Sequence, residues 1–142
     1  MKKIVLFFIL VLAVLVSSCG RNSGRKFEAF SPEAIAMNAP DGWEVNASVR
    51  VKGFDEEIQD KTHKAKLAYS VDLVTPQGKT LNSFAADTMK ADQQEEFIDL
   101  GVEAQMELDS TFTTGRYKVI FNVKDLLSGR EVKADKEFDV SK

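Results

Sequence analysis

The chain has 142 residues but only one cysteine, Cys19, one histidine, His63, one tryptophan, Trp43, and three prolines. A single cysteine excludes an internal disulfide, so the fold must rest on a hydrophobic core. One histidine and one cysteine at distant positions exclude a zinc set of paired Cys and His ligands. They also leave a Ser-His or Cys-His nucleophile without a second anchor. No Gly-x-Ser-x-Gly or paired-cysteine motif is present, and none of the many Ser, Thr, Asp and Glu residues falls into a catalytic constellation. The chain reads as non-enzymatic and needing no cofactor. Beyond residue 26 no sustained helical period, internal repeat or low-complexity run appears. The one long hydrophobic run, Ile4–Val16, would reach only about 20 Å as a helix, short of a membrane span of roughly 20 residues.

Charge is uneven along the chain. Nineteen basic residues stand against 22 acidic ones, and five of the basic ones (Lys2, Lys3, Arg21, Arg25, Lys26) precede Phe27. The body from Phe27 onward therefore carries 14 basic and 22 acidic residues, net −8. Such a body repels nucleic acid, and no basic patch with interleaved aromatics offers a nucleic-acid surface.

The start has three parts: basic Lys2-Lys3, the apolar run to Val16, then the small pair Ser17-Ser18 directly before Cys19. It resembles the signal peptide and lipobox of bacterial membrane lipoproteins. The resemblance implies a helical signal peptide over 1–18, cleavage before Cys19, diacylglyceryl transfer to its sulfur, and a further acyl group such as palmitate on the new amine. Lys2 and Lys3 would keep the N-terminus cytoplasmic, and two or three acyl chains would hold where one binds only marginally. Residues 19–26 then form the lipidated cysteine and a flexible tether, without apolar side chains after Cys19. Gly rather than Asp at position 20 resembles sorting to the periplasmic face of the outer membrane, if the cell is Gram-negative.

Residues 27–142 have the size of one domain. Ser31-Pro32-Glu33 suits a helix start, but the strand reading of Glu33–Met37 is preferred, because Ala39-Pro40-Asp41-Gly42 is a turn signal and a hairpin partner follows. Trp43, Val45, Ala47, Val49 and Val51 alternate with polar residues, a half-buried strand. Trp43 is expected to cap the core, with exposure for sugar stacking or partner contact as the other reading. Residues 53–63 read as a loop. Its acids Asp55, Glu56, Glu57 and Asp60 lack the spacing of the twelve-residue calcium loop, so a solvated loop is preferred over a cation site. His63 reads as a surface residue at a strand start. Ala65–Leu73, Thr80–Phe84 and Ile98–Leu108 predict further strands, and residues 85–96 fit an edge strand or a helical turn equally. Phe112 is expected to plug one end of the core.

Gly115-Arg116-Tyr117 followed by Val119, Phe121 and Val123 resembles the tyrosine corner of immunoglobulin-like Greek-key sandwiches. Val132, Ala134, Phe138 and Val140 form a last strand in which Lys136 falls on the apolar parity. It either extends its amine to water or marks a bulge. The expectation is an all-β, immunoglobulin-like antiparallel sandwich of about seven strands. At a hairpin tip, Leu126-Leu127 either contacts a partner or folds back over the sandwich end. The expected role is a lipid-anchored, non-catalytic protein-binding or scaffold module with an envelope protein as partner. The alternative is a carrier of a small ligand, a sugar or a metal ion, using Trp43 or the acidic loop.

Overall fold

The computed structural model describes residues 24–142, so Cys19, the signal-peptide segment and most of the tether lie outside the described residues. Eight strands follow in order: β1 (Glu28–Ala39), β2 (Gly42–Lys52), β3 (Glu57–Gln59), β4 (Thr62–Val74), β5 (Thr80–Gln93), β6 (Leu100–Asp109), β7 (Gly115–Asp125) and β8 (Glu131–Val140). All pairings are antiparallel. One sheet runs β1-β2-β6; the other runs β3-β4-β7-β8, with β5 on the opposite side of β4. The crossing from β6 to β7 carries the chain between sheets, and the fold is an immunoglobulin-like Greek-key sandwich. Among the described residues no helix is long and apolar enough to cross a membrane.

The inner faces are those the alternation marks. Val45, Val49 and Val51 of β2 and Val102 and Leu108 of β6 meet Leu67, Val71 and Leu73 of β4 and Tyr117, Val119 and Phe121 of β7 in one core. The period-two pattern forces this, since a slip of one residue would turn every apolar side chain outward. Tyr117 makes the expected corner: its Oη donates to the Thr113 carbonyl at 2.7 Å. Phe112 packs edge-on against Phe84, ring centroids 6.0 Å apart, closing that end.

The segment left open resolves as strand: β5 continues through Ala85 to Gln93, paired residue for residue with β4. Its polar pattern reflects an edge position with little to bury. A bulge opposite Asp72 places Ser83 at φ 49°, and Asp72 accepts the Ser83 N–H at 2.8 Å and an Asn122 side-chain N–H at 2.9 Å. The first strand is longer than Glu33–Met37 and is kinked at Ser31-Pro32 by a second bulge, a place where an edge strand tolerates proline. Residues 53–63 are not simply a loop. They hold β3 and a two-residue turn in which Asp60 and Lys61 both adopt positive φ, 50° and 65°, the geometry of a tight hairpin. Lys136 sits opposite Val119 with no register shift, exposed on an edge strand, so the parity break is a solvated lysine and not a bulge.

Candidate functional site

The most elaborated polar site lies at the end of the sandwich where the chain enters. Two loops and the start of the described chain converge there: residues 53–57 after β2, the β7–β8 hairpin at 125–130, and residues 25–27. Asp125 ends β7 and is 0% exposed. A buried carboxylate needs its lone pairs filled, and these are. It accepts from the Asp55 N–H at 2.8 Å, the Leu127 N–H at 3.0 Å and the Ser128 hydroxyl. The Arg130 guanidinium stands 3.7 Å from the same carboxylate. Arg130 also donates to the Gly53 carbonyl and to Asp55, both at 2.8 Å, and to the Arg25 carbonyl at 2.9 Å, while covering the Phe27 ring. The rigid fork of an arginine suits three divergent acceptors. One side chain thus joins the chain entry to both loops.

Beside it, Glu56 binds His63 Nδ1 at 2.6 Å and accepts the Phe97 N–H at 3.2 Å. Phe97 in turn packs edge-on against Phe54 at 5.8 Å. Arg25 pairs with Glu96. Together these side chains border an open groove of about 860 Å³ lined by Arg25, Phe54, Ile58, His63, Glu96 and Leu127. The loop acids Asp55 and Glu56, expected to be solvated, are instead turned inward and spent on internal partners. Among the described residues no group of three or more His, Cys, Asp or Glu side chains is placed to hold a metal ion.

The residues singled out for contact do not converge. Trp43 lies at the opposite end of β2, 7% exposed, and its indole N–H donates to the Ser141 carbonyl at 2.9 Å. It closes the core there. Leu126 and Leu127 sit at the chain-entry end and split. Leu127 folds back into the groove, half-buried, while Leu126 stays exposed. Cys19 lies outside the described residues. The Asp125–Arg130 site was not legible as such, because Asp125 reads as an ordinary turn acid. The signal was its spacing: Ser128 three residues on and Gly129 four on allow an Asx-type turn around the carboxylate.

Shifted acidity is found away from this site, at Tyr69 and Asp109 among others. Burial, then the nearby Asp87 and Glu103 charges, push the Tyr69 phenol above its ordinary pKa; its Oη donates to the Glu103 carbonyl at 2.8 Å. Hydrogen bonds from the Thr111 hydroxyl and N–H hold Asp109 below the usual carboxylate value.

No family model and no curated protein sequence matches the chain. Solved structures similar to it in shape include the following two. One is the Northeast Structural Genomics Consortium target SoR45, 17% identical with a TM-score of 0.39 over 86% of this chain and 88% of that one. The other is the Pseudomonas fluorescens alkylpurine DNA glycosylase AlkC bound to DNA containing an abasic site analog, 20% identical with a TM-score of 0.34 over 84% of this chain and 32% of that one.

Proposed function

We propose that the chain is a bacterial envelope lipoprotein, anchored through a lipidated Cys19, whose immunoglobulin-like domain is a non-catalytic module that binds a protein partner along the free edge of β5. The observation that supports the partner surface most is the position of β5. It is a fourteen-residue strand that, among the described residues, pairs only with β4. Its other edge presents backbone donors and acceptors, the template for strand addition. The other sheet edges are less available. β1 and β8 lie alongside each other across one side of the sandwich, more extensively than β5 and β6 do on the other, and on β6 the Glu103 carbonyl is taken by Tyr69. Lys90 and Asp87 on β5 discourage indiscriminate pairing, as edge charges do. The anchor reading rests on the Lys2-Lys3, Ile4–Val16 and Ser17-Ser18-Cys19 pattern. A module that meets its partner by strand addition needs no convergent catalytic groups.

The experiment has two arms on the full chain in its own membranes. Mass spectrometry of the peptide beginning at Cys19 should show acyl chains, lost in Cys19→Ser. Photo-cross-linkers at Thr88 and Lys90 should capture one extended segment of one envelope protein, and a cross-linker at Lys133 on β8 should not. An acylated, folded protein that gives no adduct from β5 overturns the partner surface while leaving the anchor standing.

A further inference from the structure

Five large apolar side chains stand out from the surface of the described residues, and three belong to the chain-entry end: Ile98 at 87% exposed, Ile58 at 66% and Leu126 at 38%. None is on a loose loop. Ile58 is carried by β3, opposite His63. Ile98 follows the buried Phe97 and precedes Asp99, which pairs with Arg50. Leu126 follows the fully buried Asp125 and donates its N–H to the Lys66 carbonyl at 2.9 Å. Each tip is thus held in place by a structured neighbour, and little ordering cost remains for a surface that receives them.

The chain outside the described residues fixes which surface that is. Arg25 is bound by Arg130 at this end. The segment from Cys19 to Gly24 spans at most about 22 Å even when fully extended. The Trp43 end lies the length of β2 away, about 35 Å for eleven residues in extended form. An acylated Cys19 therefore leaves the tip end, and not the Trp43 end, nearest the lipid. Charge narrows the lipid. Asp55, Glu96 and Asp99 are paired with Arg130, Arg25 and Arg50, and Glu56 is hydrogen-bonded to His63, while around the tips Glu57, Asp60 and Glu95 stand exposed beside the exposed Lys26, Lys61 and Lys66. Such a face carries no marked excess of either sign, so it needs no anionic lipid and gains from apolar burial.

We infer that this end of the sandwich docks on the bilayer, with Ile58, Ile98 and Leu126 inserted among the headgroups of zwitterionic lipid. The docking rests on the reading of Cys19 as lipidated. It gives the domain a fixed orientation, a second contact beyond the acyl chains.

The test uses the full acylated chain in phosphatidylcholine vesicles. Acylation of Cys19 leaves an introduced cysteine as the only free thiol. Nitroxide labels are placed by Ile58→Cys, Ile98→Cys or Leu126→Cys, with Ser110→Cys at the far end as control. Accessibility to oxygen relative to a water-soluble nickel chelate should be severalfold higher at the three tips than at position 110, and insensitive to salt. Tip labels open to the chelate on acylated protein overturn the docking alone. Tip labels shielded from both quenchers point to a protein cover and also overturn it. Contact that appears only with anionic lipid and vanishes in salt assigns the contact to Arg21, Arg25 and Lys26 and overturns the apolar insertion. A mass showing no acyl chain on Cys19 removes the anchor reading and the docking with it.

Discussion

Arg130 donates a guanidinium N–H to the carbonyl of Arg25, 2.9 Å away in space and 105 residues earlier in the chain. The same side chain is the cation nearest the buried Asp125 and the partner of Asp55. Arg130→Ala therefore leaves two carboxylates without their cation and frees the chain entry. A fully buried pair would cost 3–5 kcal/mol to break, but Arg130 is partly exposed, so screening reduces the loss to about 2–3 kcal/mol. For a domain of this size that is a fall in Tm of roughly 10 °C. Arg130→Lys should recover little, because a point charge cannot reach three divergent acceptors. Trypsin should cut after Arg25 and Lys26 much faster in both variants. An unchanged melt with unchanged cleavage would show that the arginine ties nothing down.

Gly53 is the second element holding the entry. At φ 74°, a Cβ there would stand 2.1 Å from the Lys26 carbonyl oxygen. Gly78 has a similar φ of 80° but open space around it. The pair separates conformational strain from a backbone clash. Gly78→Ala should cost only the left-handed strain of about 1–2 kcal/mol. Gly53→Ala pays that strain and must also push Lys26 off the sandwich, so it should lose clearly more in urea denaturation and expose Lys26 to trypsin. Equal losses would mean that the Lys26 contact is readily given up.

Most of the architecture was legible because burial in a sandwich writes itself as alternation. Trp43 to Val51 and Val102 to Leu108 face inward as a period of two requires. Gly115-Arg116-Tyr117 located the corner because a Tyr placed there has one good use for its hydroxyl. What escaped notice was whatever alternation does not encode. β5 buries too little to imprint a pattern from Ala85 to Gln93. The hairpin through Asp60-Lys61 lacks the glycine that usually marks positive φ. The Arg130 site draws its partners from positions 25, 53, 55 and 125, and no local spacing in the sequence brings these together. Charge counting found an acidic loop but could not tell that Asp55 and Glu56 point inward.

The corner hydroxyl can be isolated cleanly. Tyr117→Phe keeps the ring that stacks on Phe138, centroids 5.8 Å apart, and removes only the bond to the Thr113 carbonyl. Leaving that acceptor without its donor should cost about 1–2 kcal/mol. The slope of the urea transition should not change, because the surface exposed on unfolding is the same. A loss below about 0.5 kcal/mol would mean that water replaces the hydroxyl and the crossing loop does not depend on it.

Tyr69 provides the pH-dependent counterpart. Its Oη bridges the two sheets by donating to Glu103, and its pKa is raised above the ordinary 10.0. Between the unfolded and folded values the native state holds more protons than the unfolded one, so stability falls as pH rises. The contribution is complete below about pH 10 and is lost as the pH climbs through the folded pKa. Tyr69→Phe removes the titrating group and with it this alkaline decline. The wild-type chain should therefore be the more stable at pH 7, with the advantage shrinking above pH 10 as the phenolate loses its donor and meets Asp87 and Glu103. Paired urea titrations of the two proteins at neutral and alkaline pH measure the gap directly. A gap that stays constant across that range would assign the role of Tyr69 to its ring and not to the bond with Glu103.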